Sequence, residues 1–114
     1  MAGENLGYRY VSAQVTGDLS STTPVIAAIT GMTLSLKRLI FSASATAAQT
    51  VIVENPTTGT DILGPLQCAI NGGVALEFSP AALKAEAGKG INVIVSTSAV
   101  STAYIEAWVL PTTG

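Results

Sequence analysis

Histidine is missing from this 114-residue chain altogether, and charged residues make up only 11% of it. An ordinary soluble domain carries roughly 25% charge. Without histidine the commonest general base and the commonest metal ligand are gone together. A single cysteine, Cys68, excludes an internal disulfide and a zinc site built from several thiolates. Its setting, GPLQCAI, is apolar on both sides, so Cys68 reads as a small buried hydrophobe. Aromatic residues reach 5%, too few to line the deep cleft of a glycosidase. Five basic residues and a net charge of −2 leave no cationic footprint for nucleic acid. The one adjacent basic pair, Lys37-Arg38, reads as a solvated strand end. No run approaches the roughly eighteen apolar residues of a membrane span. The stretch MAGENLGYRY lacks the basic-then-apolar order of a secretory signal, so the expectation is a chain made in a cytosol and kept off membranes.

Catalytic arrangements are absent as well. Serines are plentiful, but none has a histidine, and Ser35 is followed three residues later by Arg38 where a serine–lysine pair would need lysine. The carboxylates Asp18, Glu54, Asp61, Glu77, Glu86 and Glu106 are scattered, without the close spacing of a calcium loop. Gly88-Lys89-Gly90 is not a phosphate loop: no glycine precedes it at the right spacing, Gly90 stands where Ser or Thr belongs, and a strand pattern follows. The expectation is therefore no enzyme, no cofactor, no metal and no small-molecule substrate.

Ala, Ser, Thr and Gly take the place of the missing charge. A small domain with so neutral a surface is expected to bury part of it against a partner. Along the chain apolar residues recur with period two, the mark of half-buried strands. The pattern predicts strands over Tyr8–Val15, Val25–Ile29, Leu34–Ala43, Thr50–Glu54, Ile62–Ile70, Val74–Phe78, Ile91–Ser96 and Thr102–Leu110. Pro65 places its strand at an edge or a bulge. Asn71-Gly72-Gly73 reads as a hairpin-type turn, and the last two strands read as a hairpin with each other. Ser79–Gly88 carries the cap, proline and stop signals of a two-turn helix, yet it stands between strands and reads equally as an extended crossing segment. Eight short strands with regular turns predict an all-β fold, an antiparallel sandwich or barrel, and among these a single jelly-roll sandwich accommodates eight strands in this length. Residues 1–23 form an N-terminal arm or strand ahead of a β domain at 24–114. In the last strand Glu106 shares a face with Tyr104 and Trp108, either as part of an exposed or interface face or as a functional carboxylate in an aromatic cradle.

Several short motifs in residues 50–110 carry a resemblance. They are Gly64-Pro65-Leu66, Gly72-Gly73, Ala87-Gly88-Lys89 with Ile91, and the closing strand from Tyr104 to Trp108. Together they resemble small jelly-roll decoration (cement) proteins of tailed-bacteriophage capsids. That resemblance implies a structural virion protein that binds the outer capsid surface and stabilises the shell. The implied partners are the major capsid protein and further copies of the chain, as a homotrimer, assembled in the bacterial host cytoplasm. It also implies an arm reaching over neighbouring subunits, in which Tyr8, Arg9 and Tyr10 would bind the partner, since aromatic and arginine side chains dominate interface energetics. A tail-fibre or receptor-binding tip is the alternative within phages, weakened by the scarcity of aromatic rings for sugar recognition. A trimeric binding module of the tumour-necrosis-factor or C1q type is a third reading, opposed by the missing secretory signal.

Overall fold

The computed structural model describes residues 9–56 and 58–111. They form eight strands: β1 Arg9–Asp18, β2 Thr23–Ile26, β3 Met32–Ser42, β4 Gln49–Glu54, β5 Asp61–Cys68, β6 Gly73–Glu77, β7 Ile91–Val95 and β8 Val100–Pro111. Of the stretch expected as an arm, Arg9–Asp18 is β1 and Thr23 opens β2, while residues 1–8 lie outside the described residues.

The pairing is nested. β1 pairs with β8, β2 with β7, β3 with β6 and β4 with β5, all antiparallel. Rolling this long double ribbon over itself lays β3 beside β8 and β4 beside β7. The result is two four-stranded sheets in the orders β1-β8-β3-β6 and β2-β7-β4-β5. That is a jelly-roll sandwich.

Alternation puts one row of each strand into the space between the sheets. Leu34, Leu36, Leu39 and Phe41 of β3 meet Val51, Val53, Ile91 and Val93 of the other sheet in one core. Within the first sheet, large side chains sit opposite small ones. Phe41 pairs with Ala103 and Leu36 with Ala107, which leaves room for the large residues without a void.

Two local expectations are overturned. β7 and β8 do not form a hairpin: each is already flanked by two strands of its own sheet, and residues 96–99 carry the chain from one sheet to the other. The Gln49 side-chain amide donates to the carbonyls of Thr97 (2.9 Å) and Ala99 (3.3 Å) in that crossing. Asn71-Gly72-Gly73 is likewise a corner between sheets, with Asn71 at φ 61°. A true hairpin joins β4 to β5 through residues 55–60, where the Asn55 N–H donates to Thr60 and the Gly59 N–H to Asn55.

Residues 79–88, read equally as a helix or an extended crossing segment, form neither: they are turns and bends beside the first half of β3, with one bridge, Lys84 to Ser35. β6 covers only Arg38–Ser42 of that strand, so the backbone groups of its N-terminal half need other partners. The segment supplies them. Leu36 N–H donates to Leu83, Ala85 N–H to Leu34, and Gly88 N–H to Met32, at 2.8–3.0 Å. As expected, Pro65 lies on an edge strand, β5, whose register against β4 breaks twice.

Candidate partner-binding face

The outward row of β8 runs Tyr104, Glu106, Trp108, on a strand central to its sheet. What surrounds Glu106 comes from a bulge in β3. Leu36 pairs with Ala107 and Arg38 with Glu106, so Lys37 is an extra residue. A bulge turns consecutive side chains to the same side. Leu36 and Leu39 both point into the core, and Lys37 and Arg38 between them both turn outward. One carboxylate thereby receives two cations.

Lys37 Nζ lies 2.8 Å from Glu106 Oε1, and Arg38 Nε lies 3.7 Å from the same oxygen. The Tyr104 hydroxyl donates to Oε2 at 2.5 Å. Arg38 pairs on its other side with Glu77 of β6. Glu106 is 5% exposed although it points away from the core. The Lys37 hydrogen bond, then that from Tyr104, hold its carboxyl below the usual range. The same hydrogen bond, seen from Tyr104, raises the phenol above its usual value.

Aromatic rings roof the pair. Lys37 Nζ sits 4.5 Å from the centroid of Tyr10 and 5.1 Å from that of Trp108. The two rings meet edge to face at 6.4 Å. Such cation–π contacts contribute about 0.5–2 kcal/mol, most where water is excluded. Trp108 Nε1 donates to the Phe78 carbonyl at 3.1 Å, tying β8 to the segment after β6.

Of the residues expected to bind a partner, Tyr10 stands on this face and is 52% exposed, and Arg9 begins β1 at the end of the same sheet. Tyr8 lies outside the described residues. Glu106 points outward but is buried, its carboxylate held by Lys37 and the Tyr104 hydroxyl while the rings of Tyr10 and Trp108 cover Lys37. Lys37 and Arg38 were not expected here, since a solvated strand end was the reading. The signal was present in MTLSLKRLIFS, where the apolar phase shifts from Leu34 and Leu36 to Leu39 and Phe41 across the charged pair. A shift of phase within one strand is what a bulge leaves in a sequence.

Both oxygens of Glu106 are occupied, and its depressed pKa unsuits it to act as an acid or base near neutrality. Among the described residues no group of three or more His, Cys, Asp or Glu stands together to hold a metal. Cys68 is buried, and burial raises its thiol pKa. The arrangement makes a rigid, mixed aromatic and charged surface suited to contact.

No family model matches the chain, and no curated protein does. Among solved structures it is similar to a chain of the cyanophage Pam1 capsid asymmetric unit, at 12% identity and a TM-score of 0.52, over 93% of this chain and 86% of that one. It is also matched to a chain of the virus-like particle of the extra small virus of the giant freshwater prawn Macrobrachium rosenbergii, at 12% identity, a TM-score of 0.40, and 90% and 79% coverage. The first of these is a likeness of fold, over 93% of this chain.

Proposed function

We propose that this chain is a structural virion protein, a decoration protein that binds the outer surface of a phage capsid and stabilises the shell. The observation that carries the reading is the plain jelly roll itself, which is similar, over 93% of the chain, to a chain of a cyanophage capsid asymmetric unit. The described chain is spent on two sheets, their connections and the segment along β3, which leaves the faces and edges as the working parts. The neutral surface of Ala, Ser, Thr and Gly suits burial against neighbours.

In this reading the major capsid protein is the partner, copies cluster in threes, and the outer face at Tyr10 and Trp108 docks on the shell. Residues 1–8, with Tyr8, extend the contact from the start of β1. Each copy touches several subunits, so weak contacts multiply through effective concentration. Binding stabilises only the shell to which the protein binds.

Capsids lacking the protein are expected to release DNA at lower temperature, and adding purified protein is expected to restore them. Removing residues 1–8 should weaken capsid binding and leave the sandwich folded. A purified protein that ignores capsids and binds bacterial cells or glycans would replace this reading with that of a fibre tip.

A further inference from the structure

The four edge strands of the sandwich are not alike. β2 has four residues, contains Pro24 and breaks register. β5 contains Pro65 and two register breaks. β6 has five residues. Short strands, prolines and bulges are the usual means of preventing an exposed edge from pairing with another chain. β1 has none of them. It runs ten residues in unbroken register with β8, and between Arg9 and Asp18 it carries no charge and no proline. Among the described residues nothing pairs with its outer side.

We infer that β1 is a self-pairing edge, and that its occupant is β1 of a second copy, antiparallel across a two-fold axis. Three observations select that partner. The inward row Val11, Ala13, Val15 reads the same in both directions, so with Ala13 opposite itself each valine faces the second copy's other valine. Beneath this row an apolar groove, lined by Val11, Ala13, Val25 and Ile29, leaves the sandwich open along this side. A second β1 would extend that seam. Finally, Arg9 and Asp18 stand at opposite ends of the strand. In the antiparallel register Arg9 faces the second copy's Gly17, so like charges are kept apart, whereas parallel pairing sets like beside like. The contact is isologous and closes at two copies. On a coated shell it links one cluster to the next.

In this register Ser12 faces the second copy's Gln14, twice per contact, and both side chains are exposed. Like charges directly opposite one another destabilise a strand pair. The double variant Ser12→Lys/Gln14→Lys should therefore have half the parent's mass by light scattering, with dissociation raised by about tenfold or more. Ser12→Lys/Gln14→Glu sets opposite charges face to face and should regain the parent's mass. Ala13→Cys in a Cys68→Ala background should oxidise to a covalent dimer, while Thr16→Cys, opposite Tyr10, should not. A parent of odd-numbered mass, a mass unmoved by the lysine pair, or an Ala13→Cys chain that stays uncrosslinked overturns the inference. If the lysine pair lowers capsid binding but leaves the mass unchanged, the edge's occupant is a capsid strand and self-pairing is wrong. Because mass is read without capsids, failure here is distinct from failure of the decoration reading.

Discussion

Glu106 is buried from solvent on a face that points outward, and its protonation should govern acid stability. Its folded pKa lies below the ordinary 4.5 because Lys37 and Tyr104 hydrogen-bond the charged form. Between the folded and unfolded values the unfolded chain binds more protons, so stability rises with pH there. The contribution is present above 4.5 and is lost as pH falls through the folded value. Tyr104 works in the opposite sense: its pKa is raised above 10.0, so its contribution is present below that value and is lost as pH rises through the folded one. Glu106→Gln should cost about 2 kcal/mol at neutral pH, the usual cost of leaving a partner unpaired. It should also flatten the acid limb of a denaturation-midpoint curve taken from pH 7 downward. A variant whose acid limb matches the parent's would show that the carboxylate's partners do not matter. Leu39, fully buried beneath the same sheet, gives the comparison: Leu39→Ala should cost about 2–5 kcal/mol at every pH.

Residues 79–88 show an element whose propensity and structure disagree. Ser79, Pro80, the alanines and Gly88 favour a helix, yet the segment lies along β3 and satisfies its backbone. One residue makes this testable by sign. Ala81 has φ 68°, a conformation that costs a non-glycine residue roughly 1–2 kcal/mol. Ala81→Gly should therefore stabilise the protein, by about 0.5–1 kcal/mol once glycine's greater unfolded freedom is counted. In a helix the same change would destabilise by about 1 kcal/mol. A lower melting temperature for Ala81→Gly would mean that the helical reading was right. The entry to β7 is tight by contrast. A Cβ on Gly90 would run into the Ile26 carbonyl oxygen and lie 3.1 Å from the Ala28 nitrogen, both backbone atoms that cannot swing aside. Gly90→Ala should cost about 1–3 kcal/mol, as overpacking does, measured by urea unfolding.

For the whole molecule, nesting sets the order in which contacts can form. The β4–β5 hairpin spans a few residues, whereas β1 pairs with β8 from Arg9↔Val109 to Asp18↔Val100. Closing so large a loop comes late, and folds dominated by distant pairs fold slowly. Refolding from denaturant is expected in the range of roughly milliseconds to seconds or slower. Sub-millisecond recovery of Trp108 fluorescence would contradict it. β8 is also the strand that holds both β1 and β3. A chain ending before Val100 should thus lose the whole first sheet, and its circular dichroism should be that of an unfolded polypeptide. Cleavage by trypsin after Arg9 should be far milder, since it removes only the first residue of β1.

Local information determined where the strands are and which way their side chains face. Alternation along Val100–Pro111 and Ile91–Val95 is a property of neighbours in sequence, and the odd-numbered residues of β8 fill the core as the pattern requires. Pro65 announced an edge for the same reason, since its missing N–H is a fact about one residue. Tertiary structure decided which sheet each strand joins. A turn such as Asn71-Gly72-Gly73 or residues 96–99 can return the chain to its neighbour or carry it across the sandwich, and the choice depends on distant partners. It also decided the fate of residues 79–88, because the unmet backbone groups of β3 lie outside that window. Glu106 shows the division most clearly. Its aromatic neighbours are two residues away in the same strand, but the cations that fix its charge arrive from a bulge 69 residues earlier.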